Sequence, residues 1–193
     1  MVTNIVIIVA VVILLGVYVS WRAGRLDRLH TRLEAARAAL DAALVRRSSV
    51  ALELASSGYL DPATSLLLAG AAHDARGGEH PGNGQRPREL AESDLTRALR
   101  AAFAQPDFRA SLSGRDGADE LLAELEAAAH QVFLARKFYN DAVGVTREAR
   151  RKPLVQVLRL AGGAELPDFF EIDDSLVTEA GDGGGADMQR LAG

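Results

Sequence analysis

Ile5-Val6-Ile7-Ile8-Val9-Ala10-Val11-Val12-Ile13-Leu14-Leu15 forms the centre of an opening segment, Met1 to Trp21, that carries no charged side chain. At 1.5 Å of rise per residue, twenty-one helical residues span roughly 30 Å, the hydrocarbon thickness of a bilayer. In lipid every backbone N–H and C=O must be satisfied within the segment, so a helix is the only way for a single segment to cross. Each central Ile, Val or Leu favours insertion by about 0.3 to 0.6 kcal/mol, and a dozen of them sum to several kcal/mol with no charge to oppose them. The segment therefore reads as a transmembrane anchor, residues 1–21. A cleaved signal peptide is the competing reading. It would need a basic start, a shorter apolar core and a small-residue cleavage site, which this stretch does not offer.

Immediately outward, Tyr18 and Trp21 stand where amphipathic rings prefer the headgroup layer. Arg22, Arg25, Arg28 and Arg32 follow with only Asp27 against them, while Met1-Val2-Thr3-Asn4 carries no basic residue. The positive-inside rule then predicts the N-terminus outside and the body in the cytoplasm. These four arginines are the candidate lipid-headgroup residues, each able to contribute around 1 kcal/mol against an anionic surface.

The chain has 193 residues, leaving about 170 beyond the anchor, enough for one modest domain. It has no Cys, which excludes disulfides and thiolate metal sites, and only 5% aromatic residues, so its core must be built from narrow Ala, Leu and Val seams. The net charge of −4 is uneven: from Leu166 to Gly193 seven acids face Arg190, which leaves −6 on the tail and +2 on the rest. Apart from the juxtamembrane arginines there is no basic face to track phosphates, so nucleic acid is not an expected partner.

Periodicity sets the expected architecture. Leu26, Leu29, Leu33, Ala36, Leu40 and Ala43/Leu44 recur at spacings of 3–4, one stripe of a long helix that continues the anchor as a rod. The repeat loosens at Arg46-Arg47-Ser48-Ser49 and resumes with Val50, Leu52, Leu54 and Ala55 up to a stop at Gly58. Asp61-Pro62 signals a helix start, and the helix should run to Arg76. Gly77 to Arg88 is rich in breakers and predicts a flexible loop. A third helix is expected over Glu89–Ala104, with Leu90, Leu95, Leu99, Ala102 and Phe103 inward. The longest pattern, Leu121, Leu125, Ala128, Val132, Ala135, Tyr139, Ala142 and Thr146, predicts a helix over Asp119–Arg151 lying against the first. Pro153 ends it, Leu154–Ala161 can form a short helix, and the Gly-rich acidic stretch 164–193 predicts a disordered tail. The fold class expected is thus all-α: a transmembrane helix, 1–21, continuing into an antiparallel bundle of three to four long helices over 22–163, followed by that tail.

Ala135-Arg136-Lys137-Phe138-Tyr139-Asn140-Asp141-Ala142-Val143 resembles the Ala-Arg-x-x-Tyr-Asn-x-x-Val signature of the LemA family of bacterial membrane proteins. Leu44-Val45-Arg46-Arg47 is similar to the family's Leu-x-Arg-Arg, and Gln105-Pro106-Asp107-Phe108 stands in the place of its Tyr-Pro-x-Leu-like turn. The similarity covers most of residues 1–160, whereas the acidic extension looks like a subgroup, actinobacterial-like feature. The family's opening Tyr-Asn is replaced here by Leu26-Asp27-Arg28-Leu29. The resemblance implies a single-pass protein of the bacterial plasma membrane with an antiparallel bundle of long helices and no assigned enzymatic activity.

Chemistry-bearing patterns are sparse. His30, His73, His80 and His130 match no metal-ligand spacing, and Glu171, Asp173 and Asp174 sit where an acidic tail is simply solvated. Gly183-Gly184-Gly185 follows no strand and opens no helix, so it does not read as a phosphate loop. Ser65 and Ser93 have no base placed by a recognisable motif, so neither catalysis nor a cofactor is expected. Arg136, Tyr139 and Asn140 form the most informative polar set. On one helix Arg136 and Asn140 are a turn apart with Tyr139 beside them, suited either to a clasp that fixes helix register or to recognition of a partner. Arg46-Arg47 can pair with acids on the last helix or, if the rod bends over, meet anionic lipid.

The function expected is a membrane-anchored helical scaffold or protein-interaction module. Its partners would be the bilayer, a protein not specified by the sequence and, in one version, further copies of itself. The alternative is a membrane-organising or remodelling protein acting by self-association and anionic-lipid contact.

Overall fold

A computed structural model describes residues 2–77, 85–105, 108, 112, 114–152, 155 and 166–173. Among these residues the chain is helical with no strand, and it forms α1 (Val2–Ser56), α2 (Pro62–Arg76), α3 (Gln85–Phe103) and α4 (Ala118–Arg151). The all-α expectation holds, and the stretches expected as anchor and rod form one continuous helix of 55 residues. Segment 78–84 of the expected loop, the short helix expected over 154–161 apart from Val155, and the tail beyond Asp173 lie outside the described residues.

The described chain falls into two compact units, Met1–Arg37 with Tyr139–Phe169, and Ala38–Phe138 with Phe170–Gly193. In the first, Leu33 of α1 is buried, as are Tyr139, Ala142, Val143 and Thr146 of α4, and Val155 beyond it. Arg32 pairs with Asp141 at 3.4 Å, and Leu26 and Leu29 lie near Lys152 and Val155, so these stretches of α1 and α4 run antiparallel.

In the second unit, Val50, Ala51, Leu54 and Ala55 of α1 meet Leu68, Ala72 and Ala75 of α2, Leu95 and Leu99 of α3, and Leu121 and Leu125 of α4. Leu54, Leu95 and Leu99 are wholly enclosed, and burial of each such side chain favours folding by about 1.5–3 kcal/mol. Phe108, Leu112 and Ala118 close one end of this core with Ala102, and the Phe103 and Phe108 rings meet edge to face at 5.0 Å. Here too the pairing of α1 and α4 is antiparallel: Arg46 reaches Glu124 at 3.3 Å, and Arg115, just before α4, donates to the Gly58 carbonyl just after α1 at 2.8 Å.

Local chemistry explains the turns. Gly58 takes φ +73° after α1, the left-handed position that a glycine fills without a Cβ penalty. The Asp61 carboxylate accepts from the Ala63 and Thr64 amides at 3.0 and 3.1 Å, and Pro62 occupies the first turn of α2. The Thr64 hydroxyl and these amides hold the Asp61 carboxyl below the usual carboxylate range.

Two expectations need correction. α3 begins at Gln85, so Pro87 lies inside its first turn, where its missing N–H leaves no bond unmade. Leu90, expected inward, is 63% exposed, while Ala91 and Glu92 next to it are buried. The inward stripe of α3 is therefore Ala91/Glu92, Leu95/Thr96, Leu99 and Ala102, a 3–4 spacing that includes two polar residues.

Candidate functional site

From Val2 to Val17 the Val, Ile and Leu side chains of α1 are 52–75% exposed, and no other part of the described protein covers them. Such a continuous apolar sleeve finds favourable surroundings in an apolar solvent or partner. This is one helix long and apolar enough to cross a membrane. At its end the Tyr18 hydroxyl accepts from Nε and Nη2 of Arg22 at 3.0 and 2.8 Å, and the Arg22 guanidinium lies 5.3 Å from the Tyr18 ring centre and 5.8 Å from that of Trp21. Arg25 and Arg28 are exposed. Arg32 is engaged by Asp141, which partly neutralises the fourth member of the expected headgroup set.

The most enclosed ion pair among the described residues of the second unit is one that periodicity hid. Arg47 and Glu92 are 2% and 1% exposed and meet at 2.6 Å; Arg47 also donates to the Glu92 carbonyl at 3.1 Å and to the Thr96 hydroxyl at 3.2 Å. The Thr96 hydroxyl in turn donates to the Glu92 carbonyl at 3.1 Å. The apparent loosening at Arg46-Arg47-Ser48-Ser49 is not a break in the stripe. Arg47 and Ser48 occupy the buried positions between Ala43/Leu44 and Val50/Ala51, so the 3–4 register runs on unbroken. Both expectations for the arginine pair are refined: Arg46 does pair with the last helix through Glu124, whereas Arg47 turns to α3. A spacing count that ignored polarity would have found Arg47.

Burial pushes the Glu92 carboxyl above the usual carboxylate range, and the attraction of Arg47 opposes this only in part. A carboxyl whose folded value is raised holds its proton more tightly folded than unfolded. Its stabilising contribution is complete below the unfolded value, 4.5, and is lost as pH rises through the folded one. The difference in unfolding free energy between the native chain and Glu92→Gln should therefore fall as pH is raised above 4.5. Thermal unfolding of both chains across that range measures it, and a flat difference would contradict the assignment.

Of the expected set Arg136, Tyr139 and Asn140, Tyr139 is buried at 5% exposure, while Arg136 and Asn140 are half-buried. The Tyr139 hydroxyl donates to the Asp168 carbonyl at 3.1 Å. Tyr139 thus contacts residues 166–173, a stretch without helix or strand that the sequence assigns to a disordered tail. In the first unit Arg147 binds the same segment, donating to the Pro167 carbonyl at 2.7 Å and the Asp168 carboxylate at 2.6 Å, with its guanidinium 5.1 Å from the Phe169 ring centre. In the second unit Phe170 is buried, the Glu171 amide donates to Glu89 at 2.9 Å, the Asp173 amide donates to the Ser93 hydroxyl at 3.2 Å, and Arg100 reaches the Asp173 carboxylate at 3.4 Å. Tyr139→Phe is expected to cost about 1 kcal/mol of stability, since it leaves the Asp168 carbonyl without that donor. It should also speed proteolysis around residues 166–173; unchanged cleavage would argue against this bond holding the segment in place.

Three of the remaining candidates have structural occupations. Ser93 donates to the Glu89 carbonyl at 2.7 Å, His30 pairs with Glu34 at 3.0 Å, and His130 stacks on Phe133. His80, Asp174 and Gly183–Gly185 lie outside the described residues, and among those described no three His, Asp or Glu side chains gather as a metal site.

Among the described residues, fold and surface together define an all-helical chain with one membrane-length apolar helix, at its N-terminal end. Comparison with protein-family models, with curated proteins and with solved structures finds no match to this chain.

Proposed function

We propose that this chain is a single-pass, non-catalytic scaffold of LemA-like type, held in the bacterial plasma membrane by residues 1–21, with its N-terminus outside and its helical body in the cytoplasm. The observation that carries the reading is the single helix α1. Its apolar first part is left exposed, and its later part supplies Leu40, Leu44, Leu54 and other buried residues to the core. An anchor continuous with a packed body transmits position: it confines the body to the membrane surface and raises the effective concentration of any partner held there. The basic residues Arg22, Arg25 and Arg28 on the C-terminal side support the orientation. Leu66 and Leu67 on α2, 75% and 71% exposed, and Phe138 on α4, 63% exposed, give the body apolar side chains available to a protein partner.

Two experiments test this. Protease added to intact cells should spare a C-terminal tag that it digests in opened vesicles; digestion in intact cells would overturn the orientation. Pull-down from detergent, with Leu66→Ser/Leu67→Ser as the comparison chain, should recover a partner that the variant loses. Recovery of no specific partner by either chain would count against the scaffold.

A further inference from the structure

In the second unit, α3 holds a short piece of the same chain by its main chain as well as its side chains. The amides of alternate residues, Glu171 and Asp173, donate to the Glu89 carboxylate at 2.9 Å and to the Ser93 hydroxyl at 3.2 Å, two acceptors one helical turn apart on α3. Two turns further along, Arg100 reaches the Asp173 carboxylate at 3.4 Å. Phe170 is buried at 4% exposure, while the Glu171 side chain faces water. Bonds to main-chain amides hold a peptide, and a buried ring with a paired acid selects its sequence.

We propose that this face of α3 is a peptide-docking site whose ligand, Phe170-Glu171-Ile172-Asp173, is exchanged between copies, the tail of one chain seating on α3 of a second copy in the same membrane. The inference names a partner for the scaffold and rests on the anchor reading above. Fit, reach and register select a second copy. It offers the same four residues in the same order, so each bond given up on leaving is remade on arrival, which is the basis of domain swapping. Thirteen residues, 153–165, join Lys152 to the held stretch and can span up to roughly 45 Å, several times the width of about 10 Å of a helix. Identical anchors set α3 and tail of every copy at the same height above the bilayer, and confinement to that surface raises the effective concentration of one copy's tail at another's α3. Charge agrees: residues 166–173 carry Asp168, Glu171 and Asp173 and no cation, and meet Arg100 on α3. In the first unit Arg147 meets Asp168 in the same sense, so exchange carries Asp168 to the equivalent arginine.

The chain has no cysteine, so introduced thiols report on the contact alone. Full chains carrying Ser93→Cys and Asp173→Cys, with different tags, are reconstituted together into phosphatidylcholine vesicles and mildly oxidised. The Asp173 amide lies 3.2 Å from the Ser93 hydroxyl, so the two thiols meet when a tail is seated. Asp173→Cys gives up only the pairing with Arg100, which at 3.4 Å and 36% exposure of both side chains contributes little. A disulfide-linked heterodimer is expected, in excess of the product formed when Asp74→Cys, exposed on α2, replaces Ser93→Cys. Phe170→Ala on the Asp173→Cys chain should lower the heterodimer about tenfold, the order of the factor lost with one buried phenylalanine. A synthetic peptide of residues 166–173 in excess should lower it too. The double variant Ser93→Cys/Asp173→Cys should link within one chain, and circular dichroism of each variant checks that helicity is retained.

Internal linkage in the double variant with no heterodimer above the Asp74→Cys product would overturn the exchange and leave the scaffold standing. A heterodimer indifferent to Phe170→Ala and to the peptide would reflect collision, not docking, and would overturn it as well. Chains that do not pellet with the vesicles would overturn anchor and exchange together. A measurement without thiols covers variants that fail to fold: a fluorescent peptide of residues 166–173 should bind the unsubstituted chain in vesicles saturably, and bind the Phe170→Ala chain more tightly because its own tail competes less. Absence of saturable binding to either chain would overturn the docking site itself.

Discussion

Arg47→Ala is expected to destabilise the protein by about 3–5 kcal/mol, the usual cost of removing one partner from a buried ion pair. For a chain of this length that corresponds to a drop in melting temperature on the order of 10 °C. The cost arises less from lost attraction than from what is left behind: the Glu92 carboxylate at 1% exposure, facing a cavity where a guanidinium had been. Glu92 can relieve this by taking up a proton, so the penalty should shrink in acid. The pair also gives a second, opposite expectation. Arg47→Met combined with Glu92→Leu fills the same space without charge and should restore most of the stability. Thermal unfolding of the full chain in a mild detergent, followed by helical circular dichroism at pH 5 and pH 8, reads all three. If Arg47→Ala melted with the native chain, the ion pair would not be a buried determinant of the fold.

Removal of residues 1–21 is expected to move the chain from the membrane pellet to the soluble fraction. Full-length chain should stay in the pellet through an alkaline carbonate wash. About a dozen Ile, Val and Leu side chains, each favouring insertion by roughly 0.3–0.6 kcal/mol, account for that difference, and a single central charge would erode much of it. Val9→Arg, with a cost of about 2.5–3.5 kcal/mol at the helix centre, should therefore reduce the pelleted fraction substantially. Full-length protein that washes off the membrane, or mature chain found without its first twenty residues, would contradict the anchor.

Much of the fold was legible because helical periodicity is a local property. The expected end of α2 at Arg76 and the expected span of the last helix, Asp119–Arg151 against Ala118–Arg151 observed, both follow from caps, breakers and spacing. The core positions Leu121, Leu125, Ala128, Val132 and Tyr139 were legible for the same reason: apolar residues at a 3–4 repeat seek one covered face. Polarity misled the reading where the stripe contained it. Leu90 looked inward, because hydrophobicity ranks it that way; the partner waiting on α1 places Glu92 on the covered face instead. Likewise Arg47 looked like a gap in the seam when it was part of it. In the candidate clasp, Tyr139 was found by its place on the buried stripe of α4. Its acceptor at Asp168 was not, since a segment without helical periodicity leaves no local signal.

The sequence by itself determined the helices, their approximate limits, and the uncharged opening stretch of membrane length, because hydrogen bonding within a helix, capping and hydrophobic repeat are settled among residues a few positions apart. Only the tertiary structure decided which charges meet. Arg47 chose Glu92, Arg46 chose Glu124, and Arg147 chose Asp168. Electrostatic energy depends on distance and burial in space, and nothing in the order of the residues states either one.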